Sequence, residues 1–126
     1  MVTIKSFTSL EQSKKLAEIL PPESADYCWG IDDETLQYNN SPYPCAWKDY
    51  TCKEYYIPCW SLAALISVLP LEIDTHKQTD GHKTYYYVES YMKRMGKEIY
   101  LSTERHENLV DASVTMIEKL NELNLL

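Results

Sequence analysis

Cysteine is the residue type in this chain that could do the most chemistry, because a thiolate acts as a nucleophile or binds a metal ion. The four cysteines are Cys28, Cys45, Cys52 and Cys59. Cys59 stands directly before Trp60, Ser61 and an apolar run that ends at Leu69. Since the positive end of a helix dipole favours a thiolate, Cys59 is the candidate nucleophile.

The segment from Cys59 to Ala64 resembles the start of the active-site helix in papain-like proteases. The resemblance implies a thiol enzyme in which Cys59 is the nucleophile. It covers six of the 126 residues, and Lys53 occupies the position of the glutamine that those enzymes use to stabilise an oxyanion. Their histidine and asparagine lie farther from the cysteine than this sequence extends. We therefore expect a small buried thiol and no catalytic residue, with a thiol enzyme based on Cys59 as the alternative.

The spacing of the cysteines does not indicate a metal site. Structural zinc sites usually pair ligands two to four residues apart, whereas Cys45, Cys52 and Cys59 are each seven residues apart. His76 and His82 lie on either side of Asp80-Gly81, which is typical of a solvated hairpin end. We expect no metal and no cofactor, and a cysteine-ligated metal-binding protein is a second alternative.

Two other kinds of chemistry have little support in the sequence. The acidic run of residues 32–34 is typical of a solvated loop rather than of two catalytic carboxylates that face a cleft. Phosphate-binding loops need several glycines close together, and this chain has three glycines, which are far apart.

The overall composition is that of an ordinary globular protein that forms one domain, residues 1–126. The net charge of −7 and the scattered basic residues argue against binding to nucleic acid. No apolar run approaches the ~20 residues that span a bilayer, and the first residues lack a secretory signal. We expect a cytoplasmic protein with no membrane segment, in which the cysteines are free thiols.

Proline and capping residues predict three helices. The first begins after Thr8 or Ser9, runs for about three turns and ends before Pro21-Pro22. The second is capped by Ser61, ends at Pro70 and is apolar enough to be buried nearly all round. The third is capped by Asn108 and carries an apolar stripe, composed of Leu109, Ala112, Met116, Leu120 and Leu123 and widened by Val114 and Ile117.

Strand patterns predict an α+β fold with three helices on one face of a mainly antiparallel sheet. A three-stranded meander is expected at about 71–76, 83–92 and 98–103, with turns at Asp80-Gly81 and at Arg94-Met95-Gly96. Two short strands are expected before it, at 25–29 and 45–50.

Tyrosine is the most over-represented aromatic residue, with eleven tyrosines and one phenylalanine. In the central strand of the meander, Tyr85, Tyr87 and Tyr91 alternate onto the solvent face, opposite Tyr86 and Val88. Because tyrosine combines an apolar ring with a polar tip, it is enriched at protein interfaces. We therefore expect a small, non-enzymatic interaction protein that binds a protein partner through these three tyrosines.

Three segments resemble a group of small uncharacterised bacterial proteins, often of phage or mobile-element origin. They are residues 20–26, residues 58–65 with Leu69-Pro70, and residues 108–112 with Met116, Ile117 and Leu120. The resemblance implies a shared fold and a phage or mobile-element origin, and it implies no activity.

Overall fold

A computed structural model describes residues 5–32, 34–45, 56–70 and 72–126 of the chain. These residues form three α-helices and six β-strands: α1 Leu10–Ala17, β1 Tyr27–Gly30, β2 Tyr43–Pro44, β3 Tyr56–Cys59, α2 Leu62–Val68, β4 Ile73–Asp80, β5 Lys83–Arg94, β6 Lys97–Ser102 and α3 Leu109–Glu122. The strands form two three-stranded antiparallel sheets, in the orders β2-β1-β3 and β4-β5-β6. The predicted α+β fold class is confirmed, although the one expected sheet is two sheets.

The chain divides into two compact units. The first unit, Ser6–Leu65, contains α1 and the sheet β2-β1-β3, and α1 packs on β3. The second unit, Ile66–Leu126 together with Lys5, contains the meander and α3, and α3 packs on β5. Helices α1 and α3, which we expected on one sheet face, therefore pack on different sheets. That residues 1–126 form a single domain stays a prediction.

Helix α1 is capped by Ser9, the second of the two predicted cap residues. Ser9 is the N-cap: its hydroxyl accepts a hydrogen bond from the Gln12 backbone N–H, and the Gln12 side chain accepts one from the Ser9 N–H. This reciprocal capping box satisfies two amide donors that a helix start leaves unpaired. The helix ends after eight residues, which is shorter than the three turns that we predicted.

Thr8, which is free of the capping role, is buried beside Trp60 in the first unit. Its hydroxyl accepts a hydrogen bond from the Trp60 N–H at 3.1 Å, and its own N–H donates to the Trp60 carbonyl at 3.0 Å. The indole N–H of Trp60 donates to Ser24 Oγ at 2.9 Å. A fully buried tryptophan thus has its polar groups paired, as a low-dielectric interior requires.

Helix α2 is capped by Ser61 as predicted, because the Ala64 N–H donates to Ser61 Oγ at 3.2 Å. The prediction that α2 is buried nearly all round is wrong. Ala64 and Leu65 are buried, but Ala63, Ile66 and Ser67 are exposed. The apolar composition of a helix does not reveal how many of its sides have a neighbour. A seven-residue helix with two buried residues has a neighbour on one side.

The meander has the predicted strand order with shifted boundaries. Asp80 pairs with Lys83, so the first two-residue turn is Gly81-His82 rather than Asp80-Gly81. Gly81 has φ of +63°, a conformation that glycine adopts without strain. A short strand is present at Tyr43–Pro44, and the strand predicted at 45–50 lies outside the described residues except for Cys45, which is not in a strand.

Helix α3 begins as predicted, with the Asn108 side chain accepting a hydrogen bond from the Asp111 N–H at 2.8 Å. Its buried side packs on the meander and consists of Val110, Ala112, Ser113, Val114, Met116, Ile117 and Leu120. Leu123 was predicted to complete this stripe but is exposed. Because the helix ends at Glu122, Leu123 no longer follows the helical period.

Candidate functional site

The solvent face of the meander carries the tyrosines that the sequence analysis singled out. Val88, Ser90 and Met92 of β5 are buried, and α3 packs on this strand. Successive side chains of a strand point to opposite faces. Tyr85, Tyr87 and Tyr91 therefore lie on the other face, and of these three Tyr91 is the most exposed.

The strand register adds a fourth tyrosine that the sequence analysis missed. Tyr100 of β6 is the cross-strand partner of Tyr91, and His76 of β4 is the partner of Tyr87. A two-residue turn at Met95-Gly96 places position 91 opposite position 100. The position of this turn in the sequence could therefore have predicted that Tyr100 lies beside Tyr91. We use the name tyrosine face for the surface that is formed by His76, Tyr85, Tyr87, Glu89, Tyr91, Glu98 and Tyr100.

Glu89 connects the three strands of the tyrosine face. One carboxylate oxygen lies 3.0 Å from His76 Nε2, and the other accepts a hydrogen bond from the Tyr100 hydroxyl. The His76 ring stacks on Tyr87, with ring centroids 4.6 Å apart and an interplanar angle of 12°. These contacts limit the rotamers of side chains that would otherwise move freely at the surface.

The two most exposed aromatic rings of the tyrosine face lie directly across from each other. The exposed fractions are 56% for Tyr91 and 60% for Tyr100. Tyr85 and Tyr87 are half-buried, and the Arg105 guanidinium lies 5.8 Å from the centroid of the Tyr85 ring. The available aromatic surface is therefore concentrated at Tyr91 and Tyr100.

Both exposed tyrosines have raised pKa values, for the same physical reason. The hydroxyl of Tyr91 is hydrogen-bonded to Glu98 and that of Tyr100 to Glu89, and a phenolate would be repelled by either carboxylate. Burial adds a smaller contribution in the same direction to the pKa of each hydroxyl. The hydroxyls therefore remain protonated donors at neutral pH.

The environment of Cys59 does not favour a nucleophile. The side chain is fully buried, with Thr8 Oγ1 3.5 Å from Sγ, and the thiol donates to the Thr8 carbonyl at 3.5 Å. Burial raises the pKa of Cys59, whereas an activated cysteine has a lowered pKa. Residues 6–65, the compact unit to which Cys59 belongs, contain no histidine to act as a base.

The remaining described cysteines, Cys28 and Cys45, interact with each other in the first unit. Cys28 and Cys45 are free, and Cys52 lies outside the described residues. Burial, followed by a hydrogen bond to Cys28, raises the pKa of Cys45 to about 12. No group of three or more His, Cys, Asp or Glu side chains among the described residues is arranged to hold a metal ion.

The acidic run near residue 32 has a local structural role. Asp32 Oδ1 accepts hydrogen bonds from the backbone N–H groups of Glu34 at 2.8 Å and Thr35 at 3.1 Å. These two bonds stabilise the carboxylate and lower the pKa of Asp32. The arrangement is an Asx turn, in which the side chain replaces a backbone acceptor.

Comparisons of the chain with protein-family models, with curated proteins and with solved structures gave no match. No helix in the described ranges has the length and apolar character needed to cross a bilayer.

Proposed function

We propose that this protein is a non-enzymatic interaction protein that binds a protein partner through the tyrosine face. The observation that carries the proposal is the cross-strand pair of Tyr91 and Tyr100, two aromatic side chains that are each more than half exposed. Aromatic residues, and tyrosine in particular, supply much of the binding energy at protein interfaces.

The order of this surface supports the same proposal. Binding costs free energy whenever flexible side chains must be immobilised. The Tyr100 hydroxyl is held by Glu89, and the Tyr87 ring is stacked on His76, before any partner arrives. A surface whose aromatic rings are already positioned loses less conformational entropy on binding.

The cellular setting is part of the proposal. Free thiols at Cys28, Cys45 and Cys59 are typical of a reducing compartment, which supports the cytoplasm. The resemblance of three segments to small bacterial proteins supports a phage or mobile-element origin.

The experiment is affinity capture with the full-length chain as bait, in lysate of the organism that encodes it. The variant carries Tyr91→Ser and Tyr100→Ser, and circular dichroism checks that it is folded. Removing two interface aromatic side chains is expected to weaken capture of the wild-type partner by about 10- to 100-fold. Hydrogen exchange of the complex should show added protection within residues 83–102.

Tyr38→Ser is the matched control, because Tyr38 is half-buried and lies in the first unit, outside the tyrosine face. This variant should capture the partner as the wild type does. Equal capture by the wild type and the double variant, or protection confined to residues 6–65, would show that the partner binds elsewhere.

A further inference from the structure

We propose that the Tyr91–Tyr100 pair, together with Glu89 and Glu98, binds a basic segment of the protein partner, with arginine or lysine side chains over the two rings. This inference rests on the proposed function, and it adds the chemistry of the partner.

The tyrosine hydroxyls and the histidine at the centre of the tyrosine face already interact with carboxylates. The Tyr100 hydroxyl donates to Glu89, the Tyr91 hydroxyl interacts with Glu98, and His76 Nε2 lies against Glu89. What remains for a partner is the faces of the two rings and the free lone pairs of the carboxylates, since each carboxylate has about four acceptor sites. A partner group that fits both features must carry hydrogen-bond donors and positive charge.

The charges around the two rings have the sign that this partner requires. Asp74 is the cross-strand partner of Glu89, so it lies on the same face, and Glu98 lies diagonally from Tyr91. Lys93 is the cross-strand partner of Glu98, but no ion pair between them is present in the described part of the chain. Three carboxylates against one ammonium group leave the centre of the face acidic.

The same face already holds one cation over an aromatic ring. The Arg105 guanidinium lies over the Tyr85 ring, near the turn at residues 81–82. Among the described residues, no cation of the chain lies over Tyr91 or Tyr100. The Tyr85 ring thus has a cation from within the chain, and the two more exposed rings are available to a cation from another molecule.

The test uses three synthetic pentapeptides as probes, in which glycines alternate with two arginines, two glutamines or two glutamates. Each is titrated into ¹⁵N-labelled full-length protein. Two exposed cation–π contacts of about 0.5–1 kcal/mol each predict that the arginine peptide binds about tenfold more tightly than the glutamine peptide. The arginine peptide should shift the protein's amide signals at residues 89–91 and 98–100, whereas the glutamate peptide should cause no shift there. Added salt should weaken binding of the arginine peptide.

Three double variants identify the groups responsible. Glu89→Gln with Glu98→Gln should weaken arginine-peptide binding by about fivefold or more, because the carboxylate charge is lost. Tyr91→Phe with Tyr100→Phe should retain binding, since the hydroxyls serve the carboxylates and the rings remain. Glu11→Gln with Glu18→Gln is the control, as it removes the same charge from exposed residues of the first unit.

Equal affinity for the arginine and glutamine peptides would overturn the inference, as would unchanged arginine-peptide binding in the Glu89→Gln, Glu98→Gln variant. The proposed function is judged separately by the capture experiment. If the Tyr91→Ser, Tyr100→Ser variant loses the partner while the peptides show no charge preference, the face binds a protein but the basic chemistry is wrong. If the arginine peptide binds here while the partner binds elsewhere, the proposed function is wrong.

Discussion

At the scale of single residues, two serines illustrate how a fully buried hydroxyl can stabilise or destabilise a helix. Ser13 in α1 and Ser113 in α3 are both 0% exposed. Ser13 Oγ lies 2.7 Å from Thr8 Oγ1 and accepts a hydrogen bond from the Trp29 indole N–H at 3.2 Å. Ser113 Oγ has no hydrogen-bond partner among the described residues.

Substituting each serine by alanine should therefore have opposite effects. Ser13→Ala should lower the free energy of unfolding by about 1–3 kcal/mol, because the buried Thr8 hydroxyl and the half-buried Trp29 indole each lose a hydrogen bond. Ser113→Ala should raise it by about 1 kcal/mol, since it removes a hydroxyl that pays desolvation without a hydrogen bond. Urea unfolding measures both values.

The two substitutions control for each other, because both replace serine by alanine inside a helix and share the same gain in helix propensity. Destabilisation by Ser113→Ala as large as that by Ser13→Ala would mean that the Ser113 hydroxyl has a partner in solution.

At the scale of elements, the turn between β5 and β6 determines which tyrosines meet. Arg94 pairs with Lys97, so the loop residues are Met95 and Gly96, with φ of +52° and +78°. Positive φ at both loop positions is the type I′ pattern, which favours asparagine followed by glycine. Met95 has a side chain at a conformation that costs energy, and that side chain is fully exposed.

Substitutions in this turn should change stability through the backbone alone. Gly96→Ala should destabilise by about 1–2 kcal/mol, although an added Cβ would meet no atom within 4 Å. Met95→Asn should stabilise by about 0.5 kcal/mol, since asparagine tolerates positive φ. Urea unfolding gives the changes.

Met95→Lys separates the backbone effect from the loss of an exposed apolar side chain. Lysine has the same difficulty with positive φ as methionine, so this variant should be as stable as the wild type. If Met95→Lys stabilises as much as Met95→Asn, the backbone explanation fails.

At the scale of the whole molecule, the described tryptophans, Trp29 and Trp60, report on one of the two compact units. Trp29, Trp47 and Trp60 all belong to residues 6–65, whereas the longest described helix, α3, belongs to residues 66–126. Tryptophan fluorescence therefore follows the first unit, whereas α3 contributes more than any other described helix to circular dichroism at 222 nm.

The expected single domain predicts that these two signals report one unfolding transition. A chain of 126 residues is in the size range in which cooperative two-state unfolding is usual. In urea, the fluorescence and circular dichroism midpoints should coincide, and Ser13→Ala should shift both by the same amount. A shift confined to fluorescence would show that residues 6–65 unfold independently.

The sequence by itself determined the features that depend on neighbouring residues. The cap of α3 at Asn108 requires a side chain and a backbone N–H three positions apart. The alternation of Tyr85, Tyr87 and Tyr91 with buried residues requires only the two-residue period of a strand. These features could be predicted because the atoms involved are close along the chain, and the α+β fold class followed from the order of such elements.

Only the tertiary structure decided which distant residues meet. It separated the strands into two sheets, placed Tyr100 opposite Tyr91, and brought His76 and Tyr100 to the same Glu89 carboxylate. It also enclosed Cys59 beside Thr8, 51 residues away, where burial keeps the thiol protonated. Such contacts depend on the packing of many residues at once, because each strand and helix offers several faces and its own sequence does not specify the partner.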